Sequence, residues 1–225
     1  MRSPSEPGLA PPGLRSAFLV LTLLAVTTVP ARADVAAWLR GSALPRLGVG
    51  VEVGVTVPTE PDDFAEGLWD DGRGFGVSAR CALTPTVDVL LRAGRDHFAL
   101  DADGFRLPGA TVEGVAGTDA TMDVLLLGLR VHHERGALRG HAALYAGLVR
   151  RTGQQASVTY VRDDTTSFAV TLGEPDGTDR AFGFGVGVTW AVPRLPDLTA
   201  EARVIWLAEG PGAAMIPLRV GVTLP

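Results

Sequence analysis

The sequence predicts an all-β fold, a closed antiparallel up-and-down transmembrane β-barrel of eight strands, with ten as the alternative. Three observations carry that prediction. The run Leu47–Val57 reads LGVGVEVGVTV, apolar at every odd position and Gly, Glu or Thr at every even one. Alternation of that length makes a strand with two unlike faces, and a clean apolar face opposite one of glycine and charge suits lipid outside and a polar interior. Such segments recur to the end of the chain, and the connections between them alternate in length.

The first strand is Leu47–Val57. The second, Arg73–Thr84, sets Phe75, Val77, Ala79, Cys81 and Leu83 against Gly74, Gly76, Ser78 and Arg80. The third, Val87–His97, opposes Val87, Val89, Leu91 and Ala93 to Asp88, Arg92 and Gly94, with Leu90 breaking the polar face. The fourth, Ala120–His132, sets Leu125, Leu127, Leu129 and Val131 against Gly128, Arg130 and His132, and its first half, with Val124 and Leu126, alternates less well. The fifth, Arg139–Arg151, opposes Ala142, Leu144, Ala146 and Leu148 to His141, Tyr145 and Gly147. The sixth, Arg180–Val192, places Phe182, Phe184, Val186, Val188 and Trp190 opposite four small residues, Gly183, Gly185, Gly187 and Thr189. The seventh, Leu198–Leu207, and the eighth, Ala214–Leu224, continue the pattern with Glu201, Arg203 and Arg219 on the polar side. Each segment meets or slightly exceeds the roughly 9–11 residues that a tilted strand needs to cross a bilayer.

Connections Pro58–Gly72, Phe98–Asp119 and Thr152–Asp179 are long, whereas Pro85-Thr86, His133–Leu138 and Pro193–Asp197 are short. Long outer loops and short periplasmic turns follow that order when the N-terminus is periplasmic, and only Ala208–Ala213 departs from it. Within the longest connection, Ala156–Arg162 and Ser167–Leu172 alternate again. They read as a hairpin reaching beyond the membrane or as two further barrel strands, and their shortness favours the hairpin.

The start of the chain reads as an export signal. Arg2 and Arg15 precede the apolar run Ala17–Val29, and Ala31-Arg32-Ala33 is a small-x-small cleavage site. Residues 1–33 are therefore expected to be removed, leaving 34–46 as a short periplasmic lead and 47–225 as the barrel. Past the signal there is no run of 18 apolar residues, although 46% of the chain is hydrophobic; the apolar residues are spread out by alternation. Cys81 is the one cysteine, so no intrachain disulfide forms, and it reads as a small residue on a strand face. The net charge of −5 becomes −7 once the three Arg and one Glu of the signal leave. All basic residues are Arg, with no basic stripe, so nucleic-acid binding is not expected.

The polar faces collect Glu52, Arg80, Asp88, Arg92, Arg130, Glu201, Arg203 and Arg219. A barrel of this size is just wide enough to be filled by side chains, and charges buried there must pair. Neighbouring first and eighth strands place Glu52 and Arg219 at similar heights, so they are expected to pair, and Glu201 to find Arg203 or Arg219. Such a network reads as a polar plug, or alternatively as the gate of a narrow ion or small-solute channel. Phe75, Phe182, Phe184 and Trp206 fall at the outer ends of their strands and Trp190 near a periplasmic end, as interface girdles do.

The loops are acidic, holding Glu60, Asp62, Asp63, Glu66, Asp70 and Asp71, then Asp101, Asp103, Glu113 and Asp119, then Asp163, Asp164, Glu174, Asp176 and Asp179. Divalent cations would suit them, but no segment has calcium-loop spacing, and solvated surface is the simpler reading. His97 beside Asp96 is the nearest approach to a lipid-modifying catalytic pair; no motif joins it to a serine, and no enzyme, metal site or cofactor is expected.

The segments LGVGVEVGVTVP, GRGFGVSARCALTPTVDVLLRAGRDHF, RAFGFGVGVTWAVPRLPDLTAEARVIWL and IPLRVGVTLP together resemble the eight-stranded outer-membrane barrel domain of the OmpA/OmpX-like class, over essentially Leu47–Leu224. The resemblance implies a Gram-negative cell envelope, contact with outer-membrane lipid, lipopolysaccharide and the barrel-assembly machinery, and a role as membrane stabiliser, adhesion factor or porin-like pore. It supplies no catalytic residue and names no extracellular partner. The chain departs from the class in ending Leu224-Pro225 rather than on an aromatic residue, and no peptidoglycan-binding segment is expected after the barrel. A soluble lipocalin-like carrier is the remaining alternative, and the apolar outer faces count against it.

Overall fold

The computed structural model describes residues 47–59, 68–103, 105–106, 109–162, 166–173, 175–191, 195–208 and 214–224. The expected export signal and lead lie outside these residues, as do Glu60, Asp62, Asp63, Glu66, Asp163, Asp164, Glu174, Val192 and Pro225. Eleven strands follow in order: β1 Leu47–Thr59, β2 Gly72–Thr84, β3 Val87–Phe98, β4 Thr111–Gly117, β5 Ala120–Arg135, β6 Leu138–Thr152, β7 Gln155–Arg162, β8 Thr166–Gly173, β9 Gly177–Trp190, β10 Asp197–Leu207 and β11 Ala214–Leu224. Eight of them close an antiparallel barrel in the order β1-β11-β10-β9-β6-β5-β3-β2.

Closure agrees with the eight-strand expectation, and the ten-strand alternative is set aside. The alternating pieces of the longest connection are the hairpin β7–β8, outside the barrel, and they form a separate sheet in the order β4-β7-β8. Strand β4 was not anticipated. Its sequence TVEGVAG is short and glycine-containing, and it becomes a strand only because β7 offers it a free edge, pairing Val115 with Val158.

Barrel geometry follows from the registers. Traced through the pairings, Val51 returns to β1 about ten residues nearer its start, so each strand is staggered by about one residue on the next and all are tilted. A strand of β1's apolar length, at ~3.3 Å per residue and a tilt of about 40°, spans roughly 25 Å, the height of a lipid-facing band. The turn ends are tight: Pro85-Thr86 joins β2 to β3, and Gly136-Ala137 joins β5 to β6 with Gly136 at φ 64°, where a Cβ would be strained.

Outward side chains are apolar and exposed, as in Leu47 (68%), Val53 (62%), Phe75 (62%), Leu127 (58%) and Val220 (61%). The buried apolar residues lie elsewhere. Most of them gather at the loop end, where Phe98, Leu126, Val149, Ile205 and Met215 point into the barrel, while Leu90 is buried nearer the turn end. Leu68, Trp69 and Phe105 from the long connections and Val158 from β7 pack into the same cluster. The chain around Trp69 is pinned by its bridge to Leu100, by Asp70 N–H donating to Ala99 O at 2.9 Å, and by Asp101 N–H donating to Leu68 O at 3.0 Å. Trp69 Nε1–H donates to Thr118 O at 3.3 Å, tying the first long connection to the second.

Candidate functional site

The bore between the apolar cap and the turn end is filled by ions. All eight residues anticipated as an interior network point inward. Arg80, Asp88, Arg92, Arg130, Glu201, Arg203 and Arg219 each meet a counter-charge there, as does Glu52.

The lowest layer holds two pairs. Arg80 Nη2 meets Asp197 Oδ2 at 3.0 Å, and Arg130 grips Asp88 through Nε (3.0 Å) and Nη2. Asp88 and Arg130 are opposed in the β3–β5 register, so their pairing needs no more than adjacency.

The middle layer is denser. Glu201 Oε1 accepts from Tyr145 Oη–H at 2.6 Å and from Arg203 Nε at 2.8 Å; Glu201 Oε2 accepts from Arg92 Nη2 at 2.7 Å and lies 3.1 Å from His141 Nε2. Glu52 takes both terminal nitrogens of Arg203, at 2.8 and 2.6 Å, and a further bond from Arg92 Nη1. The guanidinium carbons of Arg92 and Arg203 lie 5.5 and 5.8 Å from the centre of the Tyr145 ring, within cation–π reach. Two arginines, two glutamates, a tyrosine and a histidine thus make one connected cluster, in which each carboxylate has several donors. Buried ions are tolerable only with that degree of pairing.

Arg219 belongs to a third, higher layer. It donates to Asp96 Oδ1 and to Thr56 Oγ1, the latter at 2.9 Å, while Thr56 itself donates to Asp96 at 2.9 Å. The expected Glu52–Arg219 pair is therefore corrected. Register sets Glu52 across from Gly221 and Gly54 across from Arg219, and the two side chains diverge. Arg219 reaches up to β3, whereas Glu52 reaches past its neighbours to β3 and β10. The Glu201–Arg203 expectation agrees with the observed contact.

Space for these side chains comes from the glycines facing them. A Cβ on Gly185 would stand 2.6 Å from Glu201 Oε1, and one on Gly128 would stand 2.6 Å from the Tyr145 ring. The glycine alternation is thus the imprint of large polar groups lying across small positions. Between them lies a cavity of about 20 Å³ lined by Glu52, Arg80, Arg92, Arg130 and Glu201 among others, room for about one water.

Five polar participants were not singled out for the network: Tyr145, His141, Asp96, Thr56 and Asp197. All share inward parity with the residues that were singled out, so parity alone marked them. Asp179, expected as a loop acid, is instead on β9, buried and paired with Arg151 at 2.6 Å. Asp119 accepts from Leu100 N–H at 3.0 Å and Asp176 from Gly153 N–H at 2.7 Å, so these acids brace loops. Asp96 and His97 sit on opposite faces: the first meets Arg219, the second Asp119 at 3.2 Å, and they form no catalytic pair. Among the described residues no group of three potential ligands could hold a metal ion.

The aromatics face outward. Phe75 and Trp190 are exposed, and Phe182 stacks on Trp206 with centroids 5.7 Å apart, Phe184 lying 5.8 Å from the same ring. Cys81 is half-buried and free.

No family model matches the chain, and no curated protein matches it by sequence. Solved structures do show a likeness, to eight-stranded outer-membrane barrels. Neisserial surface protein A is 16% identical, with 81% of this chain and 99% of that one covered and a TM-score of 0.49. The N-terminal β-barrel domain of Pseudomonas aeruginosa OprF is also 16% identical, with coverage of 80% and 100% and a TM-score of 0.39. Ail, the attachment invasion locus protein of Yersinia pestis, is 12% identical, with coverage of 81% and 100% and a TM-score of 0.43. The barrel architecture rests on the closed strand pairing rather than on these likenesses.

Proposed function

We propose that this chain is an integral outer-membrane β-barrel with a structural or surface-interaction role, a plugged polar bore and acidic outer loops. One observation carries the reading: the barrel is inside out relative to a water-soluble one. Its exposed surface is a continuous apolar band of valine, leucine and phenylalanine, and its buried mid-section is ionic. Water would leave the exposed apolar band unfavourable, and a bilayer suits it, with the ions kept inside the bore as pairs.

Several features support the finer points. Side chains crowd the mid-bore around a water-sized space of about 20 Å³, which favours a plug over a conducting passage. Asp70, Asp71, Asp103 and Glu113 are exposed at the loop end, outside the band. Export through a cleaved signal, insertion by the barrel-assembly machinery, and surroundings of outer-membrane lipid and lipopolysaccharide belong to the same reading. So does the absence of an enzymatic role, since the one candidate pair is split between faces.

Outer-membrane fractionation, with gel mobility before and after boiling in detergent, tests the reading. A detergent-requiring band that shifts on heating is expected. A soluble periplasmic protein without that shift would overturn it and reopen the carrier alternative. Planar-bilayer recording of the wild type and of Glu52→Ala separates plug from channel: silence in both supports the plug, and a conductance that changes with the substitution favours the channel.

A further inference from the structure

The outward face changes character at one height. Toward the loop end, Phe75 on β2 gives way to Arg73, Ala93 on β3 to Arg95, Leu125 on β5 to Asp123, Leu148 on β6 to Arg150 and Phe182 on β9 to Arg180. All five have outward parity, and the four arginines are exposed. Arg95 is paired across to Asp123 and Asp123 to Arg150; Arg73 stands one pair higher, opposite His97, and Arg180 one pair lower, opposite Leu148.

That drift is what barrel tilt demands of residues on one level. The pairing line through Arg73 runs to His97, Thr121 and Thr152 and reaches β9 beside Gly177. Arg180 lies a few residues nearer the turn end, and a stagger of about one residue per strand over the steps from β2 to β9 accounts for the difference. The arginines therefore form a level arc around half of the barrel, directly on top of the apolar band. On the other half the same level is held by Trp206, Ile216 and Val57, with no cation. The arc stands out in a chain whose net charge is −5. Asp123 is its one acid, and it is occupied by Arg95, through Nε at 2.6 Å and Nη2 at 2.9 Å.

We propose that Arg73, Arg150 and Arg180, with Arg95 held between them by Asp123, bind the phosphate groups of an anionic lipid in the leaflet around the loop end of the barrel. The chemistry is complementary at both ends of one molecule. Guanidinium forks match phosphate oxygens, and the strip of Phe75, Leu125, Leu148 and Phe182 just beneath takes the acyl chains. A free phosphate would use only the first half of that surface, so the occupant is a lipid. The proposal deepens the membrane reading and rests on it.

The test reconstitutes the full barrel into phosphatidylcholine vesicles doped with diphosphorylated lipid A or with its dephosphorylated form. Retained lipid is counted by native mass spectrometry after detergent extraction. The wild type is expected to retain the phosphorylated form preferentially, and inorganic phosphate is not expected to displace it. Arg150→Gln with Arg180→Gln should weaken retention by about fivefold per arginine removed. The charge-matched control, Arg106→Gln with Arg162→Gln on exposed loop-end positions away from the arc, should leave retention unchanged. Equal retention of the two lipids by the wild type overturns the proposal, whether or not the variants fold. So does an equal loss in the control variant, or displacement by inorganic phosphate. If the wild type fails to insert into phosphatidylcholine alone, the membrane reading itself falls, and the proposal with it; insertion without discrimination overturns the phosphate arc only.

Discussion

In the turn-end half of the bore, Glu52, Glu201, Arg92 and Arg203 are buried as paired ions, whereas in the loop-end half Leu126, Val149, Ile205 and Met215 are buried as hydrocarbon. The two halves are packed by largely opposite means, the buried Arg151–Asp179 and Arg219–Asp96 pairs being the ionic part of the loop end. Ions close the lower half by direction: each bond fixes which strand faces which, and a missing partner leaves a charge stranded in a narrow space. Hydrocarbon closes the upper half by volume, and it can recruit loop residues such as Leu68, Trp69 and Phe105 that have no strand register of their own. Specificity and adaptability therefore sit apart: a register-locked middle, and a mouth whose cap is built from whichever apolar residues the loops supply.

Breaking the ionic half should cost most. Glu201→Ala removes the acceptor shared by Tyr145, His141, Arg92 and Arg203, and should destabilise the barrel by about 3–5 kcal/mol in urea unfolding from detergent micelles. A cost below about 1 kcal/mol would show that water screens the cluster, and the contrast between the halves would fail.

Breaking the hydrocarbon half should cost somewhat less and act locally. Phe105→Ala empties a fully buried cap position, for about 3 kcal/mol of local packing. The expected signature is faster amide exchange in residues 99–103 and 109–119 and in β7, with the barrel strands still protected. Exchange that rises equally throughout would mean that cap and bore unfold as one unit.

Gly185→Ala probes the fit rather than the charge. Its Cβ would press on Glu201 Oε1, and overpacking of this kind should lower stability by about 1–3 kcal/mol. The same substitution at Gly114, where a Cβ would meet nothing, should be nearly silent, and equal effects at both sites would remove the argument from space.

The smallest effect lies outside both halves, at Arg95–Asp123. Arg95 holds the Asp123 carboxylate through two hydrogen bonds, at 2.6 and 2.9 Å, on the outer surface of the barrel. Asp123→Asn removes a partly exposed ion pair and should lower stability by about 0.2–1 kcal/mol in urea unfolding from detergent micelles. A loss above about 2 kcal/mol would contradict the ranking of this pair below both halves of the bore.

Much of the barrel was legible because alternation is a local property. Phe182, Phe184, Val186 and Val188 must share a face whatever the rest of the chain does, and Gly183, Gly185 and Gly187 must share the other. Connection lengths then supplied the order. The apolar cap was harder to read, since its trace was a failure of alternation: Leu126 and Val124 blur the face of β5 where the bore turns from ionic to apolar. Leu68 and Phe105 carry no periodic signal, and β4 had none that could be told from loop.

Which residues face outward and which face the bore follows from the chain's own alternation, because a strand's period of two sorts side chains before any tertiary contact forms. Partner choice in the bore was decided only by tertiary structure. Glu52 and Arg219 sit on adjacent strands at nearly one height, and pairing between neighbours was the reasonable expectation. Closing the sheet with tilt and stagger brings β3 and β10 within side-chain reach of β1, and Arg92 and Arg203 then outcompete the neighbour. Distance across the bore is set by curvature, a property of the closed sheet that no single strand carries.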